Sequence, residues 1–317
     1  MKVTDIISNS KQPFISFEIL PPLKGKSIDS VYQILDPLME FKPPFINVTY
    51  HRSEYIYKKM ANGSYQKVVT RKRPGTVAIC ASIMNRYKVE AVPHLTCGGF
   101  TIEETEDALI DLQYIGVTNI LAIRGDAVKS EASFIPEPGG HAYTVDLVRQ
   151  MKRMNEGVYL EEDLVNAVKT DFCIGVGGYP EKHFEAPNFN TDLKHLKEKV
   201  DAGADYIVTQ MFFDNQKFYD FVNACRAIGI TVPIVPGLKP LTRKKQLTVL
   251  PRVFAVDIPE ELERAVTKAK TEDEAERAGI EWAIQQSKDL VKNGVPCLHY
   301  YTMGQVQTIT EIGRQVF

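Results

Sequence analysis

Short apolar runs alternate with longer amphipathic segments along almost the whole chain. The runs are rich in β-branched and aromatic residues, and the stretches between them repeat apolar positions with helical spacing. This alternation is typical of a parallel sheet built from βαβ units. Eight such runs occur, at 14–20, 45–50, 90–97, 119–125, 172–179, 206–213, 232–238 and 296–303.

Eight β/α units predict an α/β fold, a single (β/α)8 barrel of the TIM type. Every run has the composition of a buried strand, and the sequence contains neither a polar edge strand nor a Gly-x-Gly-x-x-Gly turn. These features favour a closed barrel, with an open doubly wound sheet as the alternative. A length of 317 residues suits one barrel with additions.

Helix start signals support the same architecture. Thr101 is followed three residues later by Glu104, and Thr271 by Glu274, so each pair predicts a capping box at the beginning of a helix. The second pair lies within residues 257–293, which we interpret as an extra helical pair near the carboxyl terminus.

The composition indicates an ordinary globular protein with one domain. Hydrophobic residues make up 44% of the chain and charged residues 25%. Residues 127–141, rich in Pro and Gly, predict a long loop after the fourth strand. Because no linker, repeat or low-complexity tract occurs, we expect residues 1–317 to form a single domain that ends after one barrel, without an appended regulatory domain.

The charge and the cysteines exclude several classes of protein. A formal net charge of −2 and one short basic run at 71–73, interpreted as a solvated loop, argue against a nucleic-acid partner. No signal peptide or membrane-spanning run is recognisable, so we expect a cytoplasmic protein without membrane contact. The five scattered cysteines predict free, mostly buried thiols, and no metal site is indicated.

Polar residues are concentrated where the predicted strands end. Barrel enzymes place their active sites at the carboxyl ends of the strands, so these side chains are expected to meet at one mouth. They include Glu18, Thr49, His94, Arg124, Gln210 and Tyr301.

Glu18 is the most unusual of them, because it lies between Phe17 and Ile19 in a strand too hydrophobic to be at the surface. Its carboxyl group is either held in a structural ion pair inside the barrel or desolvated and suited to proton donation. The local sequence favours neither interpretation.

The other candidates also have structural explanations. Arg124 and Asp126 could form a local ion pair at a strand end, and His94 could be a satisfied core histidine. Asp192 and Lys199, seven residues apart on one helix, are most simply a solvated face. From spacing alone these explanations are preferred.

Eight segments together resemble the methylenetetrahydrofolate reductase family, in the family's order and over nearly the whole chain. The resemblance implies a β/α barrel that binds FAD and reduces methylenetetrahydrofolate to methyltetrahydrofolate with NADH or NADPH. The segments are SFEILPP (16–22), NVTY (47–50), PHLTC (93–97), LAIRGD (121–126), GGYPEKH (177–183), KVDAGADYIVTQMFFD (199–214), IVPGL (234–238) and HYYT (299–302).

The resemblance also implies roles for individual residues. Glu18 is the expected general acid and Asp126 the expected stabiliser of positive charge. Glu18, Gln210 and Tyr301 are expected to contact the folate. The expected FAD contacts are Thr49, His94, Arg124, Gly125, Asp126, Tyr143, Tyr179, His183, Asp192 and Lys199.

In the implied reaction, Glu18 donates a proton toward N10 of the folate, the five-membered ring opens to an iminium cation, and Asp126 stabilises that cation. The hydride comes from NADH or NADPH by way of FAD; the sequence favours neither donor. These small molecules are the expected partners. We also expect a homo-oligomer, with residues 257–293 as one available surface.

Three departures from the family pattern concern the substrate side. Gly304 and Gln305 stand where the family commonly has Asn-Arg, and Leu250 stands where many relatives have an aromatic residue. Residues 156–170 are interpreted as an insertion that forms an extra helix near the site. Two alternatives therefore stay open: a flavin-free pterin-binding barrel, such as a folate-dependent methyltransferase or synthase module, and a non-catalytic barrel that retains flavin.

Overall fold

Eleven strands lie in the part of the chain that the computed structural model describes, residues 1–70, 72–128, 131 and 133–317. They are β1 (Phe14–Ile19), β2 (Phe45–Val48), β3 (Glu54–Lys59), β4 (Tyr65–Thr70), β5 (Glu90–Thr96), β6 (Asn119–Ile123), β7 (Cys173–Gly178), β8 (Tyr206–Thr209), β9 (Ile234–Val235), β10 (Gly237–Leu238) and β11 (Cys297–Tyr301). Nine of them form one parallel sheet in the order β10-β11-β1-β2-β5-β6-β7-β8-β9.

Helices connect the strands of this sheet in the alternation that the sequence predicts. The α-helices of the described residues are α1 (Val3–Asn9), α2 (Asp29–Leu38), α3 (Thr76–Tyr87), α4 (Ile102–Tyr114), α5 (Thr144–Asn155), α6 (Phe189–Asp201), α7 (Asn215–Ala227), α8 (Gln246–Phe254), α9 (Glu260–Lys268), α10 (Glu272–Lys292) and α11 (Val306–Val316).

The sheet curls into a nearly closed barrel, which confirms the predicted TIM-type α/β fold. Its two ends, β9 and β10, are separated only by Pro236. Proline has no N–H to donate to a neighbouring strand, so the single strand predicted over 232–238 becomes two short ones. The carbonyl of Pro236 still accepts a hydrogen bond from the backbone N–H of His299 at 3.0 Å, which keeps the two edges together.

Side chains of β1 alternate between the barrel interior and the helical layer. Ile15 and Phe17 pack with residues of α10 and α11 outside the barrel. Phe14 packs with residues of the other strands in the interior. Because successive side chains of a strand point to opposite faces, Ser16 and Glu18 share the interior face with Phe14, and Glu18 lies at the mouth end.

The extra helical pair predicted at 257–293 is confirmed as α9 and α10, which pack against each other. The Thr101 capping box at α4 is also confirmed. At α10 only half of the predicted box forms: Thr271 accepts from the N–H of Glu274, while the Glu274 carboxylate accepts from the N–H of Lys270.

A hairpin of β3 and β4 follows β2 and was not among the predicted strands. The sequence does carry its signal, since tyrosines and β-branched residues flank a turn at Asn62-Gly63. The basic run at 71–73 comes directly after it. Arg71 lies outside the described residues. Residues 72 and 73 belong to a loop, as expected, but Lys72 pairs with Glu54 and Arg73 donates to the carbonyl of Pro21, so the prediction that the run is solvated is wrong.

The prediction of an extra helix at 156–170 is also wrong. This segment is an irregular loop between α5 and β7, held by bonds such as the one from the Tyr159 hydroxyl to the carbonyl of Val168 at 2.6 Å. A loop that precedes a strand lies at the amino end of the barrel, opposite the mouth. In the predicted loop 127–141, residues 129, 130 and 132 lie outside the described residues, and the others contain no helix or strand.

The five cysteines are free and buried, as predicted. Among the described residues, none of the helices combines the length and the apolar character required to span a bilayer.

Candidate active site

The predicted site residues fall into two groups around the barrel mouth. The residues expected to contact FAD come mostly from four neighbouring strands and the helix after them: Thr49 after β2, His94 in β5, Arg124 after β6, Tyr179 after β7, and Asp192 and Lys199 in α6. The residues expected to contact the folate come from the other side of the ring: Gln210 after β8, Tyr301 in β11 and Glu18 in β1.

Glu18 lies among imidazole rings at the centre of the mouth. Its side chain is 14% exposed, and Oε2 is 3.5 Å from Nε2 of His94 and 3.9 Å from Nε2 of His299. Within the described part of the chain, no lysine or arginine lies within ion-pair distance of this carboxyl group. The structure therefore gives Glu18 no permanent cation as a partner.

His94 is neutral at physiological pH, because burial lowers its pKa to about 4 against the opposing effect of Glu18. Its Nε2 also lies 3.4 Å from Nδ2 of Asn47. The contact between Glu18 and His94 therefore joins a carboxyl group to a neutral imidazole and is not an ion pair.

Several polar atoms of the mouth have no partner within the protein. Among the described residues these include Oδ1 of Asn47, Oγ1 of Thr49 and Nε2 of His299, all buried. His299 is anchored through Nδ1, which lies 2.8 Å from the hydroxyl of Ser16. Buried polar atoms without partners are uncommon in folded proteins, so three at one mouth indicate a place where a ligand supplies the missing bonds.

Arg124 forms its ion pair with Glu185, at 2.6 Å, and not with Asp126 as the local explanation required. The hydrogen bond from Arg124 lowers the pKa of the Glu185 carboxyl. Gly125, which lies between Arg124 and Asp126 in the sequence, adopts a φ of +83°. This left-handed conformation favours glycine and turns the chain at the strand end. Asp126 is exposed and has neither a hydrogen bond nor an ion pair within the described chain.

The Asp192–Lys199 stripe is not a solvated face. Asp192 accepts a hydrogen bond from the backbone N–H of His183 at 3.0 Å, and Lys199 donates to the carbonyl of Gly177 at 2.6 Å. Burial lowers the pKa of Lys199 to about 8, opposed by the nearby Asp192. The ring of His183 meets that of Tyr179 edge-on at 4.7 Å, so the helix and the loop after β7 form one polar wall.

Three further predicted site residues either lie at the rim of the mouth or use their polar atoms within the protein. Tyr143 lies at the start of α5 with 62% of its surface exposed, at the rim of the mouth. Gln210 uses its side-chain oxygen to accept from the N–H of Met211 at 3.0 Å. The hydroxyl of Tyr301 donates to the carbonyl of Thr209 at 2.5 Å. The hydroxyl proton is therefore already used within the protein, and the ring of Tyr301 is the part that can contact a ligand at the mouth.

Sequence reasoning missed His51 and Lys239 as site residues and gave His299, within the segment HYYT, no role. His51 follows β2; burial and Arg73 lower its pKa, while Asp126 and Glu18 raise it, which places the ring near both carboxylates. His51 and Lys239 follow strands, so the strand-end criterion alone could have found them.

The structure shows the contacts of Leu250 and Gln305, two residues that depart from the family pattern on the substrate side. Leu250 is buried and packs with Met211 and Leu241 in the cluster beneath α8 and α9. Gln305 donates to the hydroxyl of Thr242, while its Oε1 is buried without a partner among the described residues.

Comparison with known proteins identifies the family of the chain. Residues 2–316 match the family model described as methylenetetrahydrofolate reductase. The chain belongs to the methylenetetrahydrofolate reductase family. Among relatives, the 5,10-methylenetetrahydrofolate reductase of Escherichia coli (strain K12) is 31% identical over 92% of this chain and 87% of its own length.

Other members of the methylenetetrahydrofolate reductase family are longer. Methylenetetrahydrofolate reductase (NADH) 1 of Arabidopsis thaliana is 35% identical over 96% of this chain but only 48% of its own length. The chain thus spans about half the length of that relative. Among solved structures, this chain is similar to an uncharacterised protein from Clostridium thermocellum that binds two copies of 5-methyl-5,6,7,8-tetrahydrofolic acid. The TM-score is 0.61 at 13% identity, and the match covers 98% of this chain and 97% of the other. This similarity supports the fold.

Proposed function

We propose that this chain reduces 5,10-methylenetetrahydrofolate to 5-methyltetrahydrofolate, with NADH or NADPH as the hydride donor and FAD as the cofactor. The observation that carries the proposal is the position of Glu18. In a chain of this family, it is a carboxyl group at the barrel mouth with imidazoles and no lysine or arginine beside it in the described structure. Residues 1–317 would then form a single FAD-binding barrel.

The residues present at the mouth fit a flavin nucleotide. The unpartnered Oγ1 of Thr49 and the uncommitted carboxylate of Asp126 can bond ligand hydroxyl and N–H groups. Lys199 supplies a cation near Asp192, and Arg124 supplies a second one on the same side. When bound, FAD would supply the hydride that reduces the folate.

Glu18 is the residue proposed to move a proton. Because His94 beside Oε2 is neutral, Glu18 is not held as the anion of an ion pair with it, and we propose that its carboxyl group carries the proton. Release of this proton to N10 of the folate opens the five-membered ring of the substrate. His299, held through Nδ1 by Ser16, lies 3.9 Å from the same oxygen, Oε2.

Asp126 is proposed to stabilise the cation that ring opening creates. It belongs to no ion pair in the described chain, and it lies close enough to His51 to oppose the lowering of that ring's pKa by burial. A preorganised negative charge at the mouth lowers the energy of a developing iminium ion. The departures at Leu250 and Gln305 affect the affinity for the folate and leave these two roles intact.

The nicotinamide donor follows from the family only in general terms. Relatives are named as NADH enzymes in Arabidopsis thaliana and as a probable NADPH enzyme in Caenorhabditis elegans. A nicotinamide donor is therefore part of the proposal, and the choice between the two is left to a kinetic comparison. A cytoplasmic location and a homo-oligomeric state stay predictions.

Replacement of Lys199 by Met tests the proposed FAD site. The variant loses a buried ammonium group and should bind FAD about 10- to 100-fold more weakly, because a hydrogen bond to a charged group contributes roughly 1.5–3 kcal/mol. Titration of the apoprotein with FAD measures this change. Lys194→Met, at an exposed position of the same helix, is the matched control and should bind FAD like the wild type. Equal affinity of the two variants would contradict the assignment.

The function itself is tested with the purified wild-type protein. A flavin absorption spectrum and formation of 5-methyltetrahydrofolate from methylenetetrahydrofolate and NADH or NADPH are the expected results. A colourless protein that does not bind added FAD would favour the flavin-free pterin-binding barrel. A yellow protein that forms no product would favour the non-catalytic barrel.

A further inference from the structure

Lys239 is a buried lysine on the substrate side of the mouth. It follows β10 directly and is 6% exposed. In the described structure it takes part in no hydrogen bond or ion pair. Burial lowers its pKa to about 8, with no nearby anion opposing the shift.

The strand register places Lys239 at the level of Glu18. Leu238 pairs with Tyr300 across β10 and β11, so the next residue, Lys239, falls opposite Tyr301. Tyr301 in turn pairs with Glu18 across β11 and β1. With neighbouring strands about 4.8 Å apart, the backbones of Lys239 and Glu18 are separated by about 10 Å.

Side-chain alternation places Lys239 on the interior face. A Cβ built on Gly237 would meet the carbonyl of Thr209 and the hydroxyl of Tyr301, so Gly237 faces the interior wall. Leu238 packs in the outer cluster with residues of α10 and α11. Lys239, two residues after Gly237, therefore returns to the interior side, on the face that Tyr301 shares.

Burial of this ammonium group destabilises the free protein, because no partner among the described residues replaces the hydrogen bonds that it would form with water. A pKa of about 8 still leaves it mostly charged at neutral pH. Its burial becomes favourable when a ligand brings an anion to the mouth. The residues proposed for FAD lie on or directly after β2, β5, β6 and β7, at the start of α5, and on α6, which leaves the folate as the ligand on this side.

We propose that Lys239 binds a carboxylate of the glutamate moiety of the folate, as a specificity-determining residue beside Glu18 and Tyr301. This inference rests on the proposed function. A full negative charge is what an unpaired ammonium group requires, and in methylenetetrahydrofolate only the glutamate carries one. A phosphate of the nicotinamide donor is the competing source of negative charge.

The test compares Lys239→Met with the wild type and with Lys268→Met, which removes a positive charge from the exposed end of α9. The KM for methylenetetrahydrofolate and the Kd for 5-methyltetrahydrofolate, measured by calorimetry, should both rise about 10- to 100-fold, while kcat changes less than about threefold. The concentration of NADH or NADPH that half-saturates flavin reduction should stay unchanged. Lys239→Arg should retain most of the affinity, and Lys268→Met all of it.

Three results separate the possible failures. An unchanged KM and Kd in Lys239→Met, or a weakened nicotinamide donor instead of a weakened folate, overturns the proposal for Lys239. If the Met variant does not fold, Lys239→Gln and Lys239→Arg give the same comparison of Kd values. A wild-type protein that forms no 5-methyltetrahydrofolate overturns the proposed function itself, independently of any variant.

Discussion

Glu18→Gln is expected to slow reduction of methylenetetrahydrofolate by about 1,000-fold, a typical effect of removing a general acid. The amide has nearly the shape of the carboxyl group and can keep the contacts with His94 and His299, but it has no proton to deliver to N10. Reduction of the bound flavin by NADH or NADPH needs no such proton and should proceed at close to the wild-type rate. Anaerobic stopped-flow measurement of the two half-reactions provides both rates.

The matched control is Glu103→Gln, at an exposed carboxyl group in the first turn of α4. It should leave both half-reactions unchanged. If Glu18→Gln reduced the folate at near the wild-type rate, Glu18 would not be the acid. If both half-reactions were slowed equally, Glu18 would have a structural role in the mouth.

Gly279→Ala is expected to destabilise the fold by about 3 kcal/mol or more, at the upper end of the range for overpacked positions. At Gly279, α10 passes so close to the backbone of Leu241 that an added Cβ would lie 1.5 Å from its carbonyl oxygen. Neither backbone can move without separating α10 from the segment after β10. Because Lys239 and Thr242 lie in that segment, folate binding should weaken as well.

Urea unfolding at equilibrium measures the loss of stability. Lys288→Ala, at an exposed position of the same helix, is the control and should change the free energy of unfolding by less than about 0.5 kcal/mol. A Gly279→Ala variant as stable as this control would show that α10 and the segment at Leu241 are not in direct backbone contact.

The barrel could be predicted from the sequence because its strands are buried on both faces. Such strands appear as continuous apolar runs, and all eight runs contain a strand. The break at Pro236 was missed because an apolar run indicates only that a strand is present. The missing N–H of proline decides where the hydrogen bonds between neighbouring strands are interrupted. The hairpin of β3 and β4 was missed because it is largely exposed and lacks an apolar run.

The position of the site could also be predicted, because barrels gather the carboxyl ends of their strands at one mouth. The partners of each side chain could not. Arg124 pairs with Glu185, which is 61 residues further along the chain, and Lys199 reaches back to Gly177. Spacing favoured a local ion pair for Arg124 and a solvated face for Lys199, and only the packing of α6 and the loop after β7 decided otherwise.

Lys239 illustrates a different limit of sequence reasoning. Next to Pro240, a lysine after an apolar run is typical of a solvated strand end. Its burial depends on the register of β10 with β11 and on the segment that continues to α8, which are tertiary features. The departure at Gln305 drew attention to this side of the mouth, but the sequence did not indicate which residue carries positive charge there.

The most direct test of the central claim follows one anaerobic sample of the wild-type protein through both steps. Addition of NADH or NADPH should bleach the flavin spectrum, and subsequent addition of methylenetetrahydrofolate should restore it with formation of one equivalent of 5-methyltetrahydrofolate. A flavin that the nicotinamide donor reduces but the folate does not reoxidise would contradict the account.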